Sequence, residues 1–167
     1  MGFVCVPTVR MSSNSLIRKG GVIEHSILNM NQPEIYKYKS AMIIDDSEVD
    51  QYITSRILKA SLLVEKILIQ SNVPDALKSL NDLISKSQFP ELIFLDIQMP
   101  QFSGFDFLEG FKKLDKAFTS NCLIFMLTAS NDPKEHNRAT ESPYVKKLLF
   151  KPLTIEAFRM LDKVAAA

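Results

Sequence analysis

The fold class that the sequence predicts is α/β: a doubly wound parallel sheet with helices on both faces. Two observations carry the prediction. From residue 40 onward, five short apolar runs recur, and each is followed by a segment whose apolar residues return every three or four positions. The runs are almost continuously apolar instead of alternating, as strands are when both faces are covered, and parallel strands need crossovers that helices supply. No self-similarity at a period of about 20–50 residues accompanies the alternation, which excludes a solenoid.

The elements follow in order. "SAMIID" (40–45) is the first strand, and "SEVDQYITSRILKAS" the first helix, with Val49, Ile53, Ile57 and Ala60 at helical spacing. "LLVEKILI" (62–69) is the second strand, and "VPDALKSLNDLIS" (73–85) a helix with Val73, Ala76, Leu77, Leu80, Leu83 and Ile84 on one face. "ELIFLD" (91–96) leads through Met99, Pro100 and Gly104 into a helix expected from Phe105 to Ala117, with Leu108, Phe111 and Leu114 inward. "CLIFMLT" (122–128) precedes a more polar helix at "PKEHNRATE" (133–141). "VKKLLF" (145–150) is the last strand, and "TIEAFRMLDKV" (154–164) the closing helix, with Ile155, Phe158 and Leu161 in register. Residues 1–38, rich in Ser, Asn and Gly and without sustained periodicity, read as a mobile tail, which leaves 39–167 as the domain.

Composition narrows the function. The chain has 167 residues, the size of one domain, and 20 Lys and Arg against 19 Asp and Glu give a net charge of +1. That balance supplies no bulk attraction for nucleic acid or for an anionic membrane surface, so function has to come from a local site. Cys5 and Cys122 lie far apart, with neither a CxxC nor a metal-ligand spacing, which fits a reducing, cytoplasmic setting and Cys122 as core filling. No apolar run reaches the ~18 residues of a membrane span, and the N-terminus lacks the features of a secretory signal.

Ligands of such folds bind beyond the carboxyl ends of the strands. Four of the five ends carry reactive groups: Asp45 and Asp46 after the first strand, Asp96 after the third, Thr128 after the fourth and Lys151 after the fifth. Each has a structural alternative. Asp45 or Asp46 could cap the first helix, Asp96 could open a turn, Thr128 with Ser130 or Asn131 could cap the helix at Pro133, and Lys151 could be a solvated charge. Together on one rim, three carboxylates and one ammonium leave a formal charge of minus two, which one divalent cation would cancel. All-oxygen ligands without His or Cys favour Mg²⁺ or Mn²⁺ over zinc, and His25 and His136 fall at no strand end. A carboxylate nucleophile, a cation, a hydroxyl and a lysine are the parts needed to place a phosphoryl group on Asp96. Between Val22 and Ser103 there is no glycine, so neither a Walker loop nor a dinucleotide-binding fingerprint can follow the first strand.

Residues 40 to about 165 resemble the receiver domain of bacterial two-component response regulators, a flavodoxin-like (βα)5 module with strand order 2-1-3-4-5, of the single-domain chemotaxis-regulator type. The resemblance rests on Asp45-Asp46 after "MII", Asp96 followed by "IQMP" and Gly104, Thr128-Ala129 after "LIFML", and Lys151-Pro152 after "LLF". It implies that Asp96 is phosphorylated by a histidine kinase or histidine phosphotransfer protein. It also implies that Asp46, Asp96 and the backbone carbonyl of Gln98 hold Mg²⁺ with Asp45 acting through water, and that Thr128 and Lys151 bind phosphoryl oxygens. The family commonly places an aromatic three residues before the lysine, which moves with the threonine on activation; here that position is Leu148, with Tyr144 and Phe150 nearby. Gln98 and Ser130 occupy positions that tune phosphoryl loss in the family.

With one helix expected after Lys151, the output would be a protein contact through the helix after the fourth strand, the fifth strand and the closing helix, biased by the added charge of the phosphoryl group. Two other readings stand beside this one. A phosphatase of the haloacid-dehalogenase type uses similar parts but wants a second acid where this chain has Gln98. A receiver-like binding module would keep the fold without the phosphoryl chemistry.

Overall fold

The computed structural model describes residues 36–157, and the expected tail up to residue 35 lies outside them. Five strands, β1 (Tyr38–Ile44), β2 (Val64–Gln70), β3 (Leu92–Asp96), β4 (Leu123–Thr128) and β5 (Val145–Phe150), form one sheet in the order 2-1-3-4-5. All four pairings are parallel. Between them run α1 (Glu48–Ala60), α2 (Val73–Ser85), α3 (Gly104–Phe111), the single turn α4 (Lys116–Thr119) and α5 (Pro133–Glu141).

The two faces of the sheet divide the core, because successive strand residues point to opposite sides. Met42 and Ile44, Ile93 and Leu95, and Ile124 and Met126 join residues of α2, α3 and α5 in one cluster. Ala41 and Ile43, Leu92 and Phe94, and Phe125 and Leu127 join Leu58 of α1, Leu149 and Leu153 in the other. Phe94 and Phe125, neighbours on β3 and β4, stack on this second face with ring centroids 5.4 Å apart. Cys122 is buried in the first cluster, as expected of core filling, and burial pushes its thiol well above the ordinary range.

Several boundaries and faces differ from the sequence reading. β2 starts at Val64 and not at Leu62, because Leu62 sits at φ 52°, a left-handed turn that closes α1 and cannot be strand. In α1 the buried residues are Gln51, Thr54 and Leu58, whereas Val49 is 67% exposed and Ala60 is exposed too. The reason is polar: the Gln51 amide donates to the Asp45 carbonyl at 2.6 Å and to Ser71 Oγ at 3.1 Å, tying the helix to the ends of β1 and β2.

The helix expected from Phe105 to Ala117 is also two elements. α3 ends at Phe111, and Asp115 starts α4 by accepting from the Ala117 N–H at 2.8 Å, the local competition with the backbone that favours aspartate at caps. Leu114 lies in the link and is only partly buried against the core. α2 and α5 match their expected spans. Of the closing helix, only its start is described; Ile155 there is exposed instead of inward, and Phe158 and Leu161 lie outside the described residues.

Candidate functional site

The strand order brings the acidic residues together. The chain leaves β1 toward β2 on one side and returns to β3 on the other, so the ends of β1 and β3 flank a crevice. Ile44 pairs with Leu95, which puts Asp45 and Asp96 on adjacent strand ends, and Asp96 pairs in turn with Leu127, one residue before Thr128. Thr128 pairs with Phe150, and the Lys151 N–H donates to the Thr128 carbonyl at 2.8 Å. Four separate strand ends thus converge through backbone register alone. The Lys151-Pro152 peptide is cis.

Side chains complete the cluster. One carboxylate oxygen from each of Asp45, Asp46 and Asp96 lies within 4.8 Å of the others, with Asp45 and Asp96 buried and Asp46 exposed. Lys151 Nζ lies 2.8 Å from Asp45, 2.9 Å from Asp96 and 3.0 Å from Asp50. Asp50 was not foreseen. It adds a fourth carboxylate, so four negatives against one positive leave a formal charge of minus three instead of minus two. It stands in the first turn of the helix that leaves the β1 end.

Burial governs the ionisation of the cluster. It pushes Asp96 up to about 6, against the pull of Lys151 and of the Gln98 N–H that donates to its carboxylate. Asp45 is raised for the same reason, again opposed by Lys151. For Lys151 burial works toward a lower value, but the three carboxylates together outweigh it and push the ammonium up. Asp45 Oδ1 accepts from the Ser47 N–H at 2.9 Å, whereas its buried Oδ2 has the charge of Lys151 beside it but no aligned hydrogen bond. An oxygen-only donor set, with one carboxylate oxygen from each of Asp45, Asp46 and Asp96 within 4.8 Å of the others, fits a hard divalent cation. A cleft of 230 Å³ opens beside Asp46 between Ser71, Asn72, Met99 and Phe102, which gives the cluster an approach from solvent.

The structural alternatives are resolved by other residues. The cap of α1 is Ser47, which accepts from the Asp50 N–H, not Asp45 or Asp46. The cap of α5 is Asp132, not Thr128 with Ser130 or Asn131. Lys151 is not a solvated charge, since its side chain is only 12% exposed.

Thr128 is buried, accepts from the Ser130 N–H at 2.9 Å and donates to Glu135 Oε1 at 2.5 Å; Glu135 Oε2 accepts from Gln98 Nε2 at 3.0 Å. Glu135, also missed in the sequence, stands in the first turn of α5 as Asp50 does in that of α1. Helix starts at the carboxyl edge of a parallel sheet lie beside the crevice, which makes their first-turn acids candidates without telling which of them face it. His136 is half-buried, with Nε2 2.7 Å from the Ser130 carbonyl and its ring edge-on to Phe150.

Gly104 explains how the loop after β3 closes. A Cβ there would sit 2.5 Å from the Asp96 carbonyl oxygen and 3.2 Å from Ile97 Cα, so only glycine lets α3 start against the strand end. Ser103 and Asp106 form a capping box behind it. Leu148 packs against the first core cluster, while Tyr144 meets Phe111 edge-on and Phe150 is half-exposed.

An acidic crevice at the switch point of a five-stranded parallel sheet, crossed by a largely buried lysine, defines a receiver-type α/β module. Residues 41–162 match the family described as the response regulator receiver domain, and the chain belongs to that family. Among solved structures it is similar to a two-component response regulator from Cytophaga hutchinsonii, with 28% identity and a TM-score of 0.72 over 78% of this chain and 99% of that one. A response regulator receiver protein from Dyadobacter fermentans is also similar, with 28% identity and a TM-score of 0.66 over 75% and 95%.

A response regulatory protein of Vibrio cholerae serotype O1, uncharacterized, is 39% identical over 69 residues, 41% of this chain and 27% of that protein's length. Receiver domains of two-component systems are phosphoacceptor signalling modules. Among the described residues no helix is long and apolar enough to cross a membrane.

Proposed function

We propose that the chain is a phosphorylation-dependent switch in which Asp96 accepts a phosphoryl group from the phosphohistidine of a histidine kinase or phosphotransfer protein. The observation that carries this reading is the convergence of Asp45, Asp46, Asp96, Thr128 and Lys151 on one crevice from four strand ends. In the transfer, an Asp96 carboxylate oxygen attacks phosphorus, the P–N bond to the donor imidazole breaks, and the imidazole leaves with the bonding pair. With its carboxyl at about 6, Asp96 is mostly ionised at neutral pH and serves as the nucleophile.

Lys151, already 2.9 Å from Asp96, stays beside the acyl phosphate and neutralises one of its oxygens. The Thr128 hydroxyl is the second donor, on the strand next to Asp96. Asp45, Asp46, Asp96 and the Gln98 carbonyl would hold Mg²⁺, or Mn²⁺ in its place, which supplies positive charge against the phosphoryl oxygens. Asp50 shares Lys151 and holds the ammonium over the crevice. The receiver domain would begin by Tyr38, which opens β1 and pairs with Val64, so the tail expected over 1–38 would end before it, and the domain would work in the cytoplasm where such donors are found.

The test is incubation with acetyl phosphate and Mg²⁺ followed by intact-mass measurement. One phosphoryl group per chain is expected on the wild type and none on Asp96→Asn. An equal gain on both proteins, or none on either, would refute the reading, and turnover of many equivalents of a small phosphate ester would favour a phosphatase.

A further inference from the structure

We propose that Glu135 is a positioning residue that stands in for the phosphoryl group in the resting state, holding the Thr128 hydroxyl which that group must capture and the Gln98 amide beside it. The inference rests on the reading of Asp96 as phosphoacceptor and adds to it a competitor built into α5. Thr128 Oγ has one proton to donate, and it is given to Glu135 Oε1 at 2.5 Å, the short end of charge-assisted O–H···O⁻ bonds. Thr128 Oγ1 itself already accepts from the Ser130 N–H. A phosphoryl oxygen can therefore gain the hydroxyl only by displacing the glutamate.

The other carboxylate oxygen of Glu135 takes Gln98 Nε2, the side chain two residues beyond Asp96, so one carboxylate spans the mouth of the pocket between β3 and β4. Thr128 is 1% exposed, and a buried hydroxyl left without an acceptor is costly. The change on phosphorylation is thus an exchange of one anion for another, and a released Glu135 carboxylate beside a dianionic group is repelled as well.

The exchange reaches the helix because α5 is held at both ends. Its first turn is tied to the site by Glu135 and to the β4–α5 loop by His136, whose ring nitrogen meets the Ser130 carbonyl. Farther along, Ala139 is buried and the Arg138 guanidinium lies 3.9 Å over the Phe105 ring of α3. Losing Glu135's bonds leaves the first turn held by His136 and the Asp132 cap, and so loosens it while the second half stays seated. In this chain, where Leu148 stands at the position of the family's aromatic, Glu135 links the pocket directly to α5.

The experiment is titration of wild type, Glu135→Gln, Glu135→Ala, Thr128→Ala and Thr128→Ala/Glu135→Gln with beryllofluoride in Mg²⁺, read by the amide resonances of Asp96 and Ser130. Removing the competing charge should tighten the mimic about tenfold in Glu135→Gln, whose shape is unchanged. In the Thr128→Ala background the gain should fall by more than half, since the shared hydroxyl is gone. Hydrogen exchange in residues 131–136 should rise in the wild type on adding the mimic, and in Glu135→Ala should already be raised without it.

Glu135→Gln binding within twofold of wild type or more weakly, or a gain undiminished in Thr128→Ala, would overturn the inference while leaving Asp96 as acceptor. A wild type that binds no mimic would overturn the acceptor reading and this inference together.

Discussion

Substitution of Asp96 by asparagine should stabilise the metal-free protein at neutral pH, an unusual outcome for a buried residue with an ion-pair partner. The magnitude follows from its ionisation. Burial lifts the carboxyl from 3.8 to about 6, so the folded state holds a proton that the unfolded state has released throughout that interval. The charged form is penalised by the fold. The penalty is fully present above about pH 6, shrinks as pH falls, and is gone near pH 4. A shift of roughly two units is worth about 3 kcal/mol at 1.36 kcal/mol per unit.

Asparagine keeps the size and a carbonyl for Lys151 and carries no charge, and Lys151 retains Asp45 and Asp50. The assay is urea denaturation of both proteins in EDTA from pH 4 to pH 8. The variant should be more stable by about 3 kcal/mol at pH 7.5, with the gap closing toward pH 4 and m unchanged. Asp45, also raised, is present in both proteins, and losing the Asp96 charge relieves their mutual repulsion, which adds to the gain in the variant. Mg²⁺ should narrow the gap by stabilising the wild type, which has the additional carboxylate ligand, more than the variant. A variant no more stable than wild type at pH 7.5, or a gap independent of pH, would refute the reasoning.

Other expectations are simpler. Lys151→Met leaves buried Asp45 and Asp96 without their cation and should cost about 3–5 kcal/mol in EDTA, part of it recovered on adding Mg²⁺; an equal loss with and without the ion would argue against a shared cation site. Gly104→Ala drives a Cβ against the Asp96 backbone and should lower stability by about 1–3 kcal/mol, whereas at Gly110 the added Cβ meets only the Leu77 side chain, which can turn away. Comparable thermal shifts in the two variants would contradict that contrast. Gln51→Leu removes the donor that joins the β1 end to Ser71 and should cost about 1–3 kcal/mol, measured by the same urea titration, with no change in the pH dependence.

How far the sequence reached depends on the kind of signal. β3 and β4 were legible because strands covered on both faces are apolar at every position, and the two core clusters confirm that both faces are filled. Asp45, Asp46, Asp96, Thr128 and Lys151 were legible as candidates because each follows directly from a strand end, where a parallel sheet presents its ligands. α1 misled the reading because its inward face carries Gln51 and Thr54, chosen for hydrogen bonding and for space, and a count of apolar residues takes Val49 for core.

Asp50 and Glu135 looked like ordinary first-turn acids, which favour helix starts wherever they occur. Nothing in the one-dimensional pattern distinguishes a carboxylate facing solvent from one facing a crevice; that depends on where the strand order 2-1-3-4-5 sets each helix start. The sequence by itself determined the alternation of elements, the apolar strands and the acids, hydroxyl and lysine at their ends, because these follow from local periodicity and position. Only the tertiary structure decided which of them share one lysine and that Thr128's single proton is already given to Glu135, because hydrogen-bond partners are chosen by distance in space and not by distance along the chain.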